Sequence, residues 1–222
     1  MKLHQLLLIG TALAAVPAHA ATVVYLANTV TTTGGSENQL FSNANTGAGF
    51  SSGNTITSGT TTLESAQTYT ALGQGSGQPG AGTNGRFNAS SFGTVNYNYS
   101  TSRTLDGVLF WNYNEFFSGS TFNERGTTRA DITVTHSGGT LVLDNVALTL
   151  TLDNNSSSVT APAQTIAFGS QLTGVTQISF SDLQGTDAIR GWQEAAAFQI
   201  PEPSAALLGG LGMLALLRRR RA

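Results

Sequence analysis

From Val95 to Tyr99 the chain reads VNYNY, apolar and polar residues in strict alternation. A strand sends successive side chains to opposite faces, whereas a helix needs apolar residues three and four apart. This pattern can therefore bury one side only as a half-buried strand. The same period returns at Ile132 and Val134 between Asp131, Thr133 and Thr135. It returns again along Leu141, Leu143, Val146, Leu148, Leu150 and Leu152, with a break near Asp144 and Asn145. Leu105, Val108, Leu109, Phe110 and Trp111 read as a fully buried strand, and QTIAF, TQISF and AAAFQI supply three more. Two further strands are expected at Thr22 to Thr31 and at Thr60 to Leu72, rich in β-branched residues. Between the two ends of the chain no apolar helical period exceeds two turns. The pattern predicts an all-β fold, an antiparallel β-sandwich or jelly roll, best defined from Phe92 to Phe198. Thr33 to Thr60 and Gly73 to Arg86 are Gly, Ser, Asn and Thr stretches that read as loops or short strands.

The ends have a different grammar. MKLHQLLLIGTALAAVPAHA places Lys2 before an apolar core, Leu6 to Val16, and then Ala18-His19-Ala20. That is the order of a secretory signal peptide, with cleavage after Ala20. The mature chain then begins at Ala21, and residues 21–199 form one β domain. From Ile200 to Ala222 comes IPEPSAALLGGLGMLALLRRRRA. The uncharged run Ala205 to Leu217 would make a helix of about 20 Å, short of a bilayer core of about 30 Å. It suits brief anchoring in the inner membrane better than a permanent span. Arg218, Arg219, Arg220 and Arg221 would stay on the cytoplasmic side.

Composition narrows the function. The whole chain carries 10 basic and 12 acidic residues, no Cys and three His. Removing Lys2, Glu202 and the four terminal arginines leaves 5 Arg, no Lys and 11 acids, a net charge of −6. Such a domain is a poor nucleic-acid binder, which needs the opposite sign. With no Cys there is no thiol nucleophile and no Cys-based zinc site. The mature region keeps a single histidine, His136, at the end of a strand before a Gly-Gly turn, where a catalytic triad is not expected. Its acids are scattered singly, so no carboxylate pair for glycoside hydrolysis stands out. The chain reads as a non-enzyme. Asn88, Asn98, Asn154 and Asn155 begin N-x-[ST] triplets, a feature of a glycosylated matrix protein as well as of a merely soluble one.

Two resemblances follow from these residues. Pro201, Glu202 and Pro203, then Ser204, the apolar run and Arg218 to Arg221, in that order behind a signal peptide, resemble the PEP-CTERM sorting signal. The resemblance implies a Gram-negative exopolysaccharide producer, Sec export, and recognition and removal of the tail by the membrane enzyme exosortase. A retained single-pass anchor is the alternative. TLDGVLFWNYNE (Thr104 to Glu115), Arg125-Gly126, ADITVTHSGG, PAQTIAFGS, GVTQISFSD and WQEAAAF are together similar to discoidin-like domains of the galactose-binding jelly-roll superfamily. That implies binding rather than chemistry, of a glycan or exopolysaccharide, through loops at one end of the sandwich.

On that resemblance Trp111, Asn112, Tyr113, Asn114, Arg125 and Trp192 are the candidate ligand contacts. Phe116 and Phe117 are further aromatic candidates. A Trp closing an apolar strand is usually a core residue, and Asn residues after it usually make turn hydrogen bonds, so a structural role for this stretch comes ahead of ligand contact. The resemblance also implies a structural calcium ion held with the help of Glu194. Calcium takes 6–8 oxygens. The early loop offers Asn43, Asn45 and Asn54 but no Asp-Gly pair, and Glu194 as a plain strand residue is the other reading. A structural matrix protein without a defined ligand site is the competing function, with a secreted hydrolase behind it.

Overall fold

A computed structural model describes residues 22–48, 50, 54–72, 85–87, 91–113, 116–117, 120–121, 125–150 and 160–201. The signal peptide with Ala18 and Ala20, the tail from Glu202 onward, Asn114 and most of the Gly73 to Arg86 loop lie outside the described residues. The strands run in chain order β1 (Val23–Tyr25), β2 (Thr29–Thr33), β3 (Glu37–Gln39), β4 (Thr70–Leu72), β5 (Gly85–Phe87), β6 (Thr94–Asn112), β7 (Phe116–Phe117), β8 (Ser120–Thr121), β9 (Arg129–His136), β10 (Gly139–Ala147), β11 (Thr160–Pro162), β12 (Gln164–Gln184) and β13 (Arg190–Gln199). A 3₁₀ helix spans Phe41–Asn45 and one α-helix, α1, spans Leu63–Gln67. Every strand pair is antiparallel. The expected all-β antiparallel class is the class observed.

Two long strands carry the architecture. β6 has 19 residues and β12 has 21. Their mutual register breaks repeatedly between Ala167 and Gln177. On one side of the break Gln177 to Phe180 pair with Asn98 to Val95, and this layer runs β2-β6-β12-β9-β10. On the other side Gln164 to Ala167 pair with Phe110 to Gly107, and this layer adds β13, flanked by β1 and by β5 with β3. Each long strand thus belongs to both layers. Gly169 and Gly174 lie at the break with φ of +82° and +68°, a conformation that glycine adopts without Cβ strain. The sequence suggests separate strands at QTIAF and TQISF; the structure makes them two halves of β12 bent at these glycines.

The layers face each other across aromatic rings. Phe180 of the first layer lies 5.9 Å from Phe110 and 5.2 Å from Trp192 of the second, ring centre to ring centre. Tyr97 packs edge-on to Phe180 at 5.7 Å. The second layer is covered on its other face as well. Leu109, Trp111, Ala196 and Phe198 point away from the interlayer core into a second cluster with Val24, Phe50, Ile56, Leu63 and Ala66. This explains why β6 stops alternating after Gly107 and becomes buried at every residue to Asn112.

Two expected strands are corrected. Thr22 to Thr31 is not continuous: β1 pairs with β13 in the second layer and β2 with β6 in the first. The crossing is held by Asn45, whose side chain accepts from the Ala27 N–H at 2.9 Å and donates to the Ala27 carbonyl at 2.8 Å. Thr60 to Leu72 is not a strand but α1 followed by β4. Thr62 caps the helix by accepting from the Ser65 N–H at 3.2 Å, and Leu63 and Ala66 bury one face. The apolar stretch after Gly139 forms one strand, β10, as far as Ala147, with a bulge where the sequence breaks; Leu148 and Leu150 lie past its end and Leu152 lies outside the described residues. Asn145 takes φ +53° and its N–H donates to the Asp131 carboxylate at 2.8 Å.

Gly107 marks the tightest approach in the second layer. A Cβ there would lie 2.3 Å from the Ile166 carbonyl oxygen and 2.5 Å from the Phe198 ring. Gly107→Ala is expected to lower the unfolding free energy by about 1–3 kcal/mol, measured as a lower midpoint in urea at an unchanged slope.

Candidate functional site

β13 decides which side chains are available. It is buried at every position from Gly191 to Phe198. Its register with β6 slips between Trp192 and Glu194, a one-residue bulge at Gln193. The bulge lets Trp192 join Ala195 and Ala197 in the interlayer core, while Glu194 falls in phase with Ala196 and Phe198 on the other side.

The proposed ring platforms are therefore interior. Trp111, Tyr113 and Trp192 are each 0% exposed. The Trp111 indole donates to the Tyr69 carbonyl at 2.9 Å. The Trp192 indole donates to the Tyr97 hydroxyl at 2.7 Å, and that hydroxyl donates to the Ala44 carbonyl at 3.2 Å. Burial pushes the Tyr97 hydroxyl well above its ordinary pKa, so it stays neutral in this relay. Asn112 is a bracket. Its amide donates to the carbonyls of Thr127 at 2.8 Å and Thr149 at 3.0 Å, and its oxygen accepts from the N–H groups of Tyr113 at 2.8 Å and Thr127 at 3.1 Å. These four residues hold the structure in place and offer no open face to a sugar.

What remains open is the rim where the loops meet. Asn112 and Thr127 join there, and Thr127 donates through its N–H to the Gly191 carbonyl at 3.2 Å. Arg86, from β5, donates to the Tyr113 hydroxyl at 2.7 Å. Arg125 lies 3.6 Å from the Asp187 carboxylate. Arg190 donates to the carbonyls of Ile189 at 2.7 Å and Gly185 at 2.8 Å, and its guanidinium sits 5.0 Å from the centre of the Phe92 ring. Burial lowers the Arg190 pKa and the Asp187 charge raises it. Phe92 is 36% exposed. Arg190 thus packs against one partly exposed aromatic ring. Sequence reading reaches Arg125 but misses Phe92 and Arg190. The available signal is an aromatic residue that stands before β6 and outside its alternation.

Glu194 is the second feature. It is 0% exposed. Its Oε2 accepts from the Gly47 N–H at 2.9 Å. Burial drives its pKa well up, and the nearby backbone N–H groups of Gly47, Ala195 and Thr46 pull it partly back. Its Oε1 is buried with no hydrogen-bond partner. A buried carboxylate oxygen without a donor is suited to a cation. Among the described residues no group of three or more His, Cys, Asp or Glu surrounds it. A cation shell here would be one carboxylate and neutral oxygens. Asn45 is already committed to Ala27.

Residues 199–221 match the PEP-CTERM protein-sorting motif. That motif marks an exported protein sorted through its C-terminal tail. Among the described residues no helix is long and apolar enough to cross a membrane, and the tail lies outside them. No curated protein sequence matches the chain. Among solved structures it is similar to the family 32 carbohydrate-binding module of Clostridium perfringens NanJ in complex with galactose, at 14% identity, covering 80% of this chain and 99% of that chain, with a TM-score of 0.44. It is also similar to an F5/8 type C domain from Bacteroides fragilis, at 12% identity, 82% and 98% coverage and a TM-score of 0.39. A third is the family 32 module of AlyQ in complex with 4,5-unsaturated mannuronic acid, at 14% identity, 80% and 98% coverage and a TM-score of 0.36.

Asn112→Ala removes a bracket that is 3% exposed and leaves several backbone groups without partners. It is expected to cost about 2–4 kcal/mol of stability in chemical denaturation.

Proposed function

We propose that this chain is an exported, exosortase-processed surface or matrix protein whose β-sandwich binds a glycan of the extracellular polysaccharide. The observation that supports a binding role is the rim: a partly exposed Phe92 ring braced by Arg190. A sugar presents C–H groups on one face and hydroxyl or carboxylate oxygens at its edge. An aromatic ring beside a guanidinium group meets both. The tail supports the export and sorting half of the reading.

Phe92→Ala tests the site. The ring is partly in water and touches Phe87 only at 6.5 Å, so the fold loses little. Titration of the folded domain with exopolysaccharide is expected to show an affinity about two- to tenfold weaker for the variant, since one stacked ring is worth about 0.5–1.5 kcal/mol. Equal affinity with wild type would place the glycan elsewhere.

The buried Glu194 carboxylate, whose Oε1 has no hydrogen-bond partner, would hold a structural calcium ion with neutral oxygens completing the shell. Bound there, the ion would supply the charge that compensates a buried carboxylate. With a single carboxylate, the affinity belongs to the extracellular range of about 0.1–1 mM. Millimolar calcium is expected to raise the melting temperature of wild type and chelator to reverse it, while Glu194→Gln removes the response. A melting temperature indifferent to calcium in wild type would contradict the assignment.

A further inference from the structure

The arginines of the domain differ in what they hold. Arg86 donates to the Tyr113 hydroxyl, Arg125 pairs with Asp187, and Arg190 donates to two backbone carbonyls. Arg103 does none of these things. Its guanidinium lies over the Tyr25 ring, 4.6 Å from the ring centre. Its Nε is buried with no hydrogen-bond partner. Among the described residues no carboxylate pairs with it. Tyr99 is close enough to feel its charge. Burial pushes the Tyr99 hydroxyl pKa up and Arg103 pulls it only partly back, so Tyr99 stays a neutral phenol and leaves the arginine charge unbalanced.

The pair stands away from the rim. Arg103 lies where β6 passes from one layer to the other, opposite Val175 at the break in β12. Tyr25 ends β1, pairs with Ala197, and donates through its hydroxyl to the Gln199 side chain at 3.4 Å. Ala197 is seven residues along β13 from Arg190, roughly 20 Å at the usual rise. Arg103 and Tyr25 are both half-buried, and Ser100, Thr101 and Ser102 just before Arg103 are exposed. This corner therefore offers a guanidinium fork without an acidic partner, a ring that holds the fork flat, and hydroxyls alongside. Such a fork takes a carboxylate through two parallel hydrogen bonds. A sugar acid carries that carboxylate on the same ring as hydroxyls that Ser and Thr can bond.

We propose that Arg103 and Tyr25 form a second binding site, selective for the carboxylate of an acidic sugar, at the end of the sandwich away from the Phe92 rim. This rests on the reading that the domain binds a glycan. The test is calorimetric titration of the full chain in mild detergent with tetragalacturonate, and with neutral maltotetraose as control. Arg103→Ala is expected to weaken tetragalacturonate binding at least about tenfold, the usual worth of hydrogen bonds to a charged group. Tyr25→Leu is expected to weaken it about two- to fivefold by removing the stacked ring. Arg103→Lys keeps the stem and the charge but not the fork, and is expected to fall between wild type and Arg103→Ala. Matched melting temperatures of wild type and Arg103→Lys show that the loss is not one of folding. Tetragalacturonate affinity equal in wild type and Arg103→Ala overturns the site, as does a wild type that does not bind it or that binds maltotetraose as tightly. Loss of exopolysaccharide affinity in Phe92→Ala would still uphold the rim in each of those cases, so the two readings fail separately.

Discussion

The one-residue bulge at Gln193 is the feature on which the rest depends. Without it Trp192 and Glu194 would share a face of β13, and one of them would be misplaced. With it Trp192 enters the interlayer core against Phe41, Phe110 and Phe180, while Glu194 reaches the 41–47 loop from the opposite side. One strand thereby ties the early loop twice: through the Trp192–Tyr97–Ala44 relay and through the bond from Gly47 to Glu194. β13 can serve this way because it is covered on both faces, with small Ala195, Ala196 and Ala197 between its large residues.

The same strand links the two ends of the sandwich. At its start, Arg190 and Gly191 help to build the rim with Gly126, Thr127 and Phe92. At its finish, Gln199 pairs with Val23 and hands the chain to Ile200 and the sorting tail. The rim and the last residues of the domain therefore lie at opposite ends of a ten-residue strand, about 30 Å apart at the usual rise.

The half-buried strands were legible because burial on one side imprints a period of two, as at Val95, Tyr97 and Tyr99. The all-β class followed from that. The split between β1 and β2 was not legible, since it is held by Asn45 from a distant loop rather than by a local turn signal. α1 is five residues long and owes its place to a cap at Thr62 and a tertiary face, too little to outweigh the β-branched residues around it. At the candidate site, the rings that the sequence singles out are buried. Trp111, Tyr113 and Trp192 sit on or beside strands, and whether a strand-end aromatic points in or out depends on register and on the bulge. Phe92 and Arg190 become neighbours only through tertiary structure, so no spacing announces them.

Titration of residues 21–199, shown to be folded by a cooperative melt, against the producing cell's own exopolysaccharide tests the central claim most directly. The account predicts saturable binding. Absence of binding by the folded domain, up to polysaccharide concentrations where known modules saturate, would contradict it and leave a structural matrix protein as the reading.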